Sequence, residues 1–160
     1  MYGEQLIALP RYSFSFDSVT LEHLDHLDQA SVFKDEVRQM DKAFATQFWD
    51  KEHFIDLSDF DSVQDFVERG IGFYLEKSGK VIGAAYSSLV CSQGIEVSIF
   101  VLDDYRRQGV ATILGSNLLK WCVANKMEGH WDAANMESCK LAEKLGYVSQ
   151  GRYEAFYLAT

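Results

Sequence analysis

The chain has 160 residues, nearly half of them apolar, which is enough for one domain with a real core and short for two. That composition excludes a disordered chain. The formal net charge of −9 repels phosphates and argues against a nucleic-acid partner, while it favours cationic acceptors such as amines. The three cysteines, Cys91, Cys122 and Cys139, are odd in number and show no CxxC spacing, so neither a disulfide framework nor a zinc site is expected. No signal-peptide pattern opens the chain, and no apolar run approaches the roughly 18 residues of a membrane span. A soluble cytoplasmic protein with no membrane attachment is therefore expected.

Residues 1–32 read as an N-terminal extension. Within it Tyr12-Ser13-Phe14-Ser15-Phe16 alternates like a short strand, and Leu21, Leu24 and Leu27 recur at helical spacing. The main domain is expected over 33–160, with a first strand at 33–40 and an aromatic helix at 44–49. Ser62-Val63-Gln64-Asp65 has the form of a capping box before a helix that Gly70 ends. A strand at 71–75, a hairpin loop at Lys77-Ser78-Gly79-Lys80 and a returning strand at 81–90 follow. Residues 94–101 form the next strand, with Ile95, Val97 and Ile99 on one face and Glu96, Ser98 and Phe100 on the other. Val110, Leu114, Leu118 and Trp121 then mark a helix. A short strand at 129–133, a helix through Ser138, Leu141, Ala142 and Leu145, and a last strand at 152–158 complete the chain. This order predicts an α+β domain, an α/β/α sandwich around a central mixed, mostly antiparallel sheet flanked by helices.

Between the 94–101 strand and its helix lies Arg106-Arg107-Gln108-Gly109-Val110-Ala111. The first turn of a helix has unpaired N–H groups and a partial positive charge, so it attracts an anion. Gly109 lets a ligand oxygen approach the backbone, and Ala111 is small for the same reason. The amides from Gln108 to Thr112 can wrap a pyrophosphate as a nest. The plain structural reading of the same turn is a tight strand-to-helix connection.

Residues 99–111 resemble the acetyl-CoA signature of the GNAT superfamily, Arg/Gln-x-x-Gly-x-Gly/Ala after its fourth strand. Asn135-x-x-Ser138-x-x-Leu141-Ala142-Glu143-Lys144-Leu145-Gly146-Tyr147 resembles its second motif, in the right order and spacing. Together with Trp131-Asp132-Ala133-Ala134, the second motif is similar to a bacterial group that includes the zwittermicin A resistance acetyltransferases. That likeness covers about residues 70 to 158, and members of the group carry a further N-terminal half. The resemblance implies an N-acetyltransferase with acetyl-CoA as cosubstrate. Its acceptor is a small-molecule amine or a protein N-terminus, and two copies commonly pair as a homodimer. The alternative reading is a catalytically weak or inactive GNAT domain that binds CoA as a sensor or interaction module.

Residue by residue, the resemblance places Val101 where a backbone N–H meets the acetyl carbonyl. It places Arg106, Gln108, Gly109, Val110, Ala111 and Thr112 around the pyrophosphate. Asn135 falls where the family contacts the pantetheine arm, and it equally suits a helix N-cap. Glu96 matches a position used as general base, with His130 and Asp132 as alternatives on the next strand. The family's acid tyrosine is replaced by Ala142. Trp49, Phe54 and Phe60 lie in the segment that shapes the acceptor site, where ordinary core packing is the other reading.

Overall fold

The structure, a computed structural model, describes residues 5–49 and 55–158. The alternation around Tyr12 belongs to a ten-residue strand, β1 (Leu6–Ser15). Thr20 accepts the His23 N–H and opens α1 (Leu21–Ala30), which buries Leu24 completely. Residues 33–40 do not form the expected strand. Phe33 and Met40 are buried in two different core clusters, so the chain between them turns, and only β2 (Arg38–Gln39) is extended. Asp41 caps α2 (Lys42–Phe48) through the Phe44 N–H. Ser62 caps α3 (Val63–Arg69) through the Asp65 N–H, and the Asp65 carboxylate reaches back to the Asp61 N–H, one residue before the cap.

β3 (Gly72–Lys77) and β4 (Lys80–Val90) form the expected hairpin. Ser78 and Gly79 both take positive φ, as its tight loop requires. β5 (Gly94–Val101) follows with the predicted bounds. A 3-10 turn (Asp103–Tyr105) leads through the glycine turn into α4 (Val110–Ala124). The segment 129–133 is two strands. β6 (Glu128–His130) pairs parallel with β5, whereas β7 (Asp132–Ala133) pairs antiparallel with β1. Asn135 then caps α5 (Met136–Leu145) through the Ser138 N–H, and Gly146 ends it in the left-handed conformation. β8 (Val148–Leu158) pairs with β1 along nearly its whole length.

Two sheets result, one of five strands in the order β2-β3-β4-β5-β6 and one of three in the order β7-β1-β8. The larger is antiparallel except for β5·β6. Residues 6–15, within the segment read as an extension, thus occupy the middle of the smaller sheet, and α1 packs on α4.

Alternation on β4 separates the two cores. Ala85 lies in the cluster with α4, and Ala84 and Tyr86 lie in the cluster with Phe44, Phe60 and Phe66 of the α2–α3 side. Within α4, Val110, Ile113, Leu114, Leu118 and Leu119 are at most 1% exposed. Burial of each is worth about 1.5–3 kcal/mol, so α4 is anchored along its length. Its first turn is held closest. A Cβ on Gly83 would come within 2.8 Å of Val110 Cγ1. Among the described residues no helix is long and apolar enough to cross a membrane.

Candidate active site

The pairing of β5 with β6 ends at Glu96 opposite His130, because the chain then leaves to join β1. Residues 97–101 of β5 therefore have no strand partner on that edge among the described residues. The Leu102 N–H donates to the Ile82 carbonyl at 2.9 Å. In an antiparallel pair such bonded positions alternate with outward-facing ones. With Val101 opposite Gly83 in unbroken register, the backbone groups of Val101, Ile99 and Val97 face away from β4, into the gap. The gap widens into a cleft of about 1090 Å³.

The glycine turn forms one end of this cleft. Arg107 takes φ +63° and Gly109 φ +86°. A Cβ on Gly109 would meet no atom within 4 Å, so the position is both left-handed and open. The Ile113 N–H is bonded to the Gly109 carbonyl at 3.1 Å, the first hydrogen bond of the helix. The N–H groups of Val110, Ala111 and Thr112 therefore lack acceptors within α4, and all three residues line the cleft. Arg106 and Arg107 line it too, with Arg106 held by Asp103 at 3.2 Å. Gln108 does not. Its amide turns back to donate to the Asp104 carbonyl at 3.2 Å.

At the narrow end, Glu96 Oε1 and His130 Nδ1 lie 2.7 Å apart, both partly exposed. Glu96 lines the cleft, and His130 does not. Asp132 lines the opposite wall, where its Oδ2 accepts the Tyr153 hydroxyl at 2.5 Å and pairs with Arg11 at 3.4 Å. That hydrogen bond raises the Tyr153 hydroxyl above its ordinary pKa. Asn135 lines the cleft while serving as a helix cap. Trp131 also lines it, 5% exposed, and its Nε1 is buried without an acceptor among the described residues.

Several lining residues carried no sequence signal. Tyr86 on β4 has a hydroxyl that accepts the Asp56 N–H, and burial raises its pKa. Arg11 comes from β1, and Lys140 and Lys144 come from α5. The spacing of four along α5 could have grouped the two lysines, but nothing in the sequence connects Arg11 with residue 132. Ala142 is fully buried in the main core and does not line the cleft. Tyr147 is 3% exposed, donates to the Gly129 carbonyl at 2.6 Å and is raised well above the ordinary tyrosine value by burial. Trp49 and Phe60 belong to the α2–α3 cluster, and Phe54 lies outside the described residues.

A strand pair that splays beside an open helix N-terminus is the architecture of the acyltransferases that the sequence resembles. The family described as GNAT acetyltransferase is matched over residues 1–156, and the chain belongs to that family. The match includes residues 1–32. An uncharacterized N-acetyltransferase of Bacillus subtilis, YdfB, is 23% identical over 159 residues, which are 96% of this chain and 58% of that protein. A GCN5-related N-acetyltransferase-like protein of Streptococcus suis superposes with a TM-score of 0.84 at 27% identity, covering 99% of this chain and 64% of that one. A putative acetyltransferase of Novosphingobium aromaticivorans gives 0.68 at 15% identity over 99% and 69%. An aminoglycoside N-acetyltransferase crystallised with CoA gives 0.51 at 23% identity over 78% and 98%, a likeness of fold. The chain thus spans 58% and 64% of the B. subtilis and S. suis proteins.

Proposed function

We propose that the protein transfers acetyl from acetyl-CoA to an amine by direct attack within a ternary complex. The observation that carries this reading is the opening of β5 from β6, with the Val101 amide directed into the gap, Glu96 at one end and the α4 N-terminus at the other. The family and the CoA-bound structural relative support acetyl-CoA as cosubstrate.

The residues present fit that molecule. The amides of Gly109, Val110, Ala111 and Thr112 would hold the pyrophosphate, with Arg106 beside them, where a side chain on Gly109 would intrude. The unpartnered Trp131 Nε1–H is a donor for an amide carbonyl of the pantetheine arm, and Asn135 lies next along that wall. Acetyl-CoA supplies an activated acyl group.

An amine with a pKa near roughly 10 arrives protonated at neutral pH. Glu96 takes that proton, and the freed nitrogen forms the C–N bond as the thioester C–S bond breaks. The Val101 N–H stabilises the negative charge that develops on the carbonyl oxygen. The departing thiolate, with a thiol pKa near roughly 8.5, takes its proton from water, and water takes the second proton that the attacking nitrogen sheds as the amide forms. No tyrosine acid is needed, in keeping with the buried Ala142 and the committed Tyr147 hydroxyl.

The chain's negative charge favours a cationic acceptor, and an antibiotic, a polyamine, an amino acid and a protein N-terminus are the candidate amines. Thiol release from acetyl-CoA across a library of small amines and N-terminal peptides tests the reading. Release with one class of amine supports it. Binding without release from any of them would instead favour a CoA-sensing domain. Homodimerisation belongs to the same proposal, because β8 is an edge strand with Phe156, Tyr157 and Leu158 exposed. A monomer mass by light scattering would remove it.

A further inference from the structure

The last rung shared by β5 and β6 joins two ionisable side chains. β6 ends at His130, opposite Glu96, and the chain then departs for β1. Residues in register on neighbouring strands turn their side chains to the same face, so the two meet where the strands part. Glu96 Oε1 and His130 Nδ1 are 2.7 Å apart, and of the two residues only Glu96 lines the cleft. A carboxylate oxygen accepts and cannot donate, so the hydrogen lies on Nδ1 and is donated to Oε1. Among the described residues the second oxygen of Glu96, Oε2, has no hydrogen-bond partner.

Stability does not account for the pair. The side chains of His130 and Glu96 are 52% and 43% exposed, and ion pairs so open to water add little to folding. The backbone is nevertheless anchored on both sides of His130. The Gly129 carbonyl accepts the Tyr147 hydroxyl at 2.6 Å, and a Cβ on Gly129 would come within 2.8 Å of Leu119 Cδ2. Trp131 is 5% exposed, with its ring 5.4 Å from that of Tyr147. The imidazole therefore stands on a rigid base and has few torsions of its own. Glu96 has the freer side chain, and without the ring it would have to give up that freedom each time an acceptor arrives. Asp132, on the opposite wall, is already engaged through Oδ2 by Tyr153 and Arg11.

We infer that His130 is a positioning residue for acetyl transfer: it holds Oε1 of Glu96 from outside the cleft and leaves Oε2 to meet the ammonium of the acceptor. This rests on the reading above in which Glu96 is the base. The proton passes from the acceptor nitrogen to Oε2, and His130 neither gains nor loses one. A base has to lie within hydrogen-bond reach of the proton it takes, and an unheld carboxylate lies there less of the time. The contribution of His130 is therefore confined to amines that arrive protonated. An amine that arrives free attacks without a base and is indifferent to the ring.

The test is thiol release from acetyl-CoA by the full chain, with the best acceptor of the amine library and with a matched pair, ethylamine and trifluoroethylamine. Ethylamine is protonated at neutral pH, whereas the fluorines leave its partner largely free. His130→Ala should lower kcat about ten- to a hundredfold with the best acceptor and with ethylamine, and less than about threefold with trifluoroethylamine. Its acetyl-CoA affinity by calorimetry should stay within about twofold and its melting temperature within about two degrees. His130→Asn should regain most of the lost rate, because its amide N–H stands as many bonds from the backbone as Nδ1–H does. In the Glu96→Gln background His130→Ala should cost nothing further, since the two residues act as one unit. A near-normal rate in His130→Ala overturns the inference and leaves the acetyl-transfer reading standing. An equal loss with both members of the pair also overturns it, since that marks general damage to the site. So does a full further loss in the Glu96→Gln background, because His130 would then act on its own. No thiol release by the wild type with any amine sinks both readings together.

Discussion

Glu96 and Gly109 carry the two halves of the proposed chemistry, and each has a substitution that separates it from folding. Glu96 is partly exposed and bonded only to His130 at its side chain among the described residues, so Glu96→Gln should leave the fold intact. Its kcat should fall about 10²–10⁴-fold with CoA affinity nearly unchanged, measured by thiol release and by calorimetry. A near-normal rate would transfer the proton to His130, Asp132 or water. Gly109 is a stricter case, because its φ of +86° strains any residue with a Cβ although nothing lies within 4 Å of one. Gly109→Ala should cost about 1 kcal/mol in a urea melt. Gly109→Asp should fold with a similar loss and bind no CoA, since its carboxylate would stand where phosphate must. Normal binding by that variant would move the anion site elsewhere.

Elements that rest on local chemistry were legible in the amino-acid sequence. Ser62 and Asp65 announced α3, Ser78-Gly79 announced the β3–β4 hairpin, and the alternation of Ile95, Val97 and Ile99 gave β5 its observed bounds. Elements decided by distant partners were not legible. Residues 129–133 read as one strand because nothing local shows that Asp132 opposes Ser13 of β1 instead of continuing along β5. That departure opens the cleft, so the shape of the cleft was hidden in the sequence while the glycine turn that lines it was plain. The local chemistry of α3 can itself be tested. The Asp65 carboxylate bonds Arg69 at 2.6 Å and accepts the Asp61 N–H, which lower its pKa from 3.8 to about 2. A lowered folded-state pKa adds stability above the unfolded value that fades as pH falls through the folded one. Asp65→Asn should therefore be less stable than the wild type at pH 7, and the deficit should narrow between about pH 4 and pH 2. A constant deficit in urea melts at pH 7 and pH 3 would show that the ion pair contributes nothing.

At the scale of the molecule, the cleft joins parts of the chain that touch nowhere else in sequence: Arg11 from β1, Tyr86 from β4, Glu96 to Val101 from β5, the first turn of α4, and Asn135 to Lys144 around α5. A ligand spanning it would tie the smaller sheet to the larger one, and such a ligand binds the native state alone. At 100 times its dissociation constant it adds about 2.7 kcal/mol to stability. For a domain of this size that raises the melting temperature by several degrees. Acetyl-CoA should therefore shift the melt of the wild type upward, by an amount that grows with the logarithm of ligand concentration. It should shift Glu96→Gln equally and Gly109→Asp not at all, because the first acts on the proton and the second on the phosphates. The two variants make the melt a test of the site as well as of binding. An upward shift that survives in Gly109→Asp would mean that acetyl-CoA binds outside the α4 turn. No shift in the wild type at millimolar acetyl-CoA would end the cosubstrate assignment.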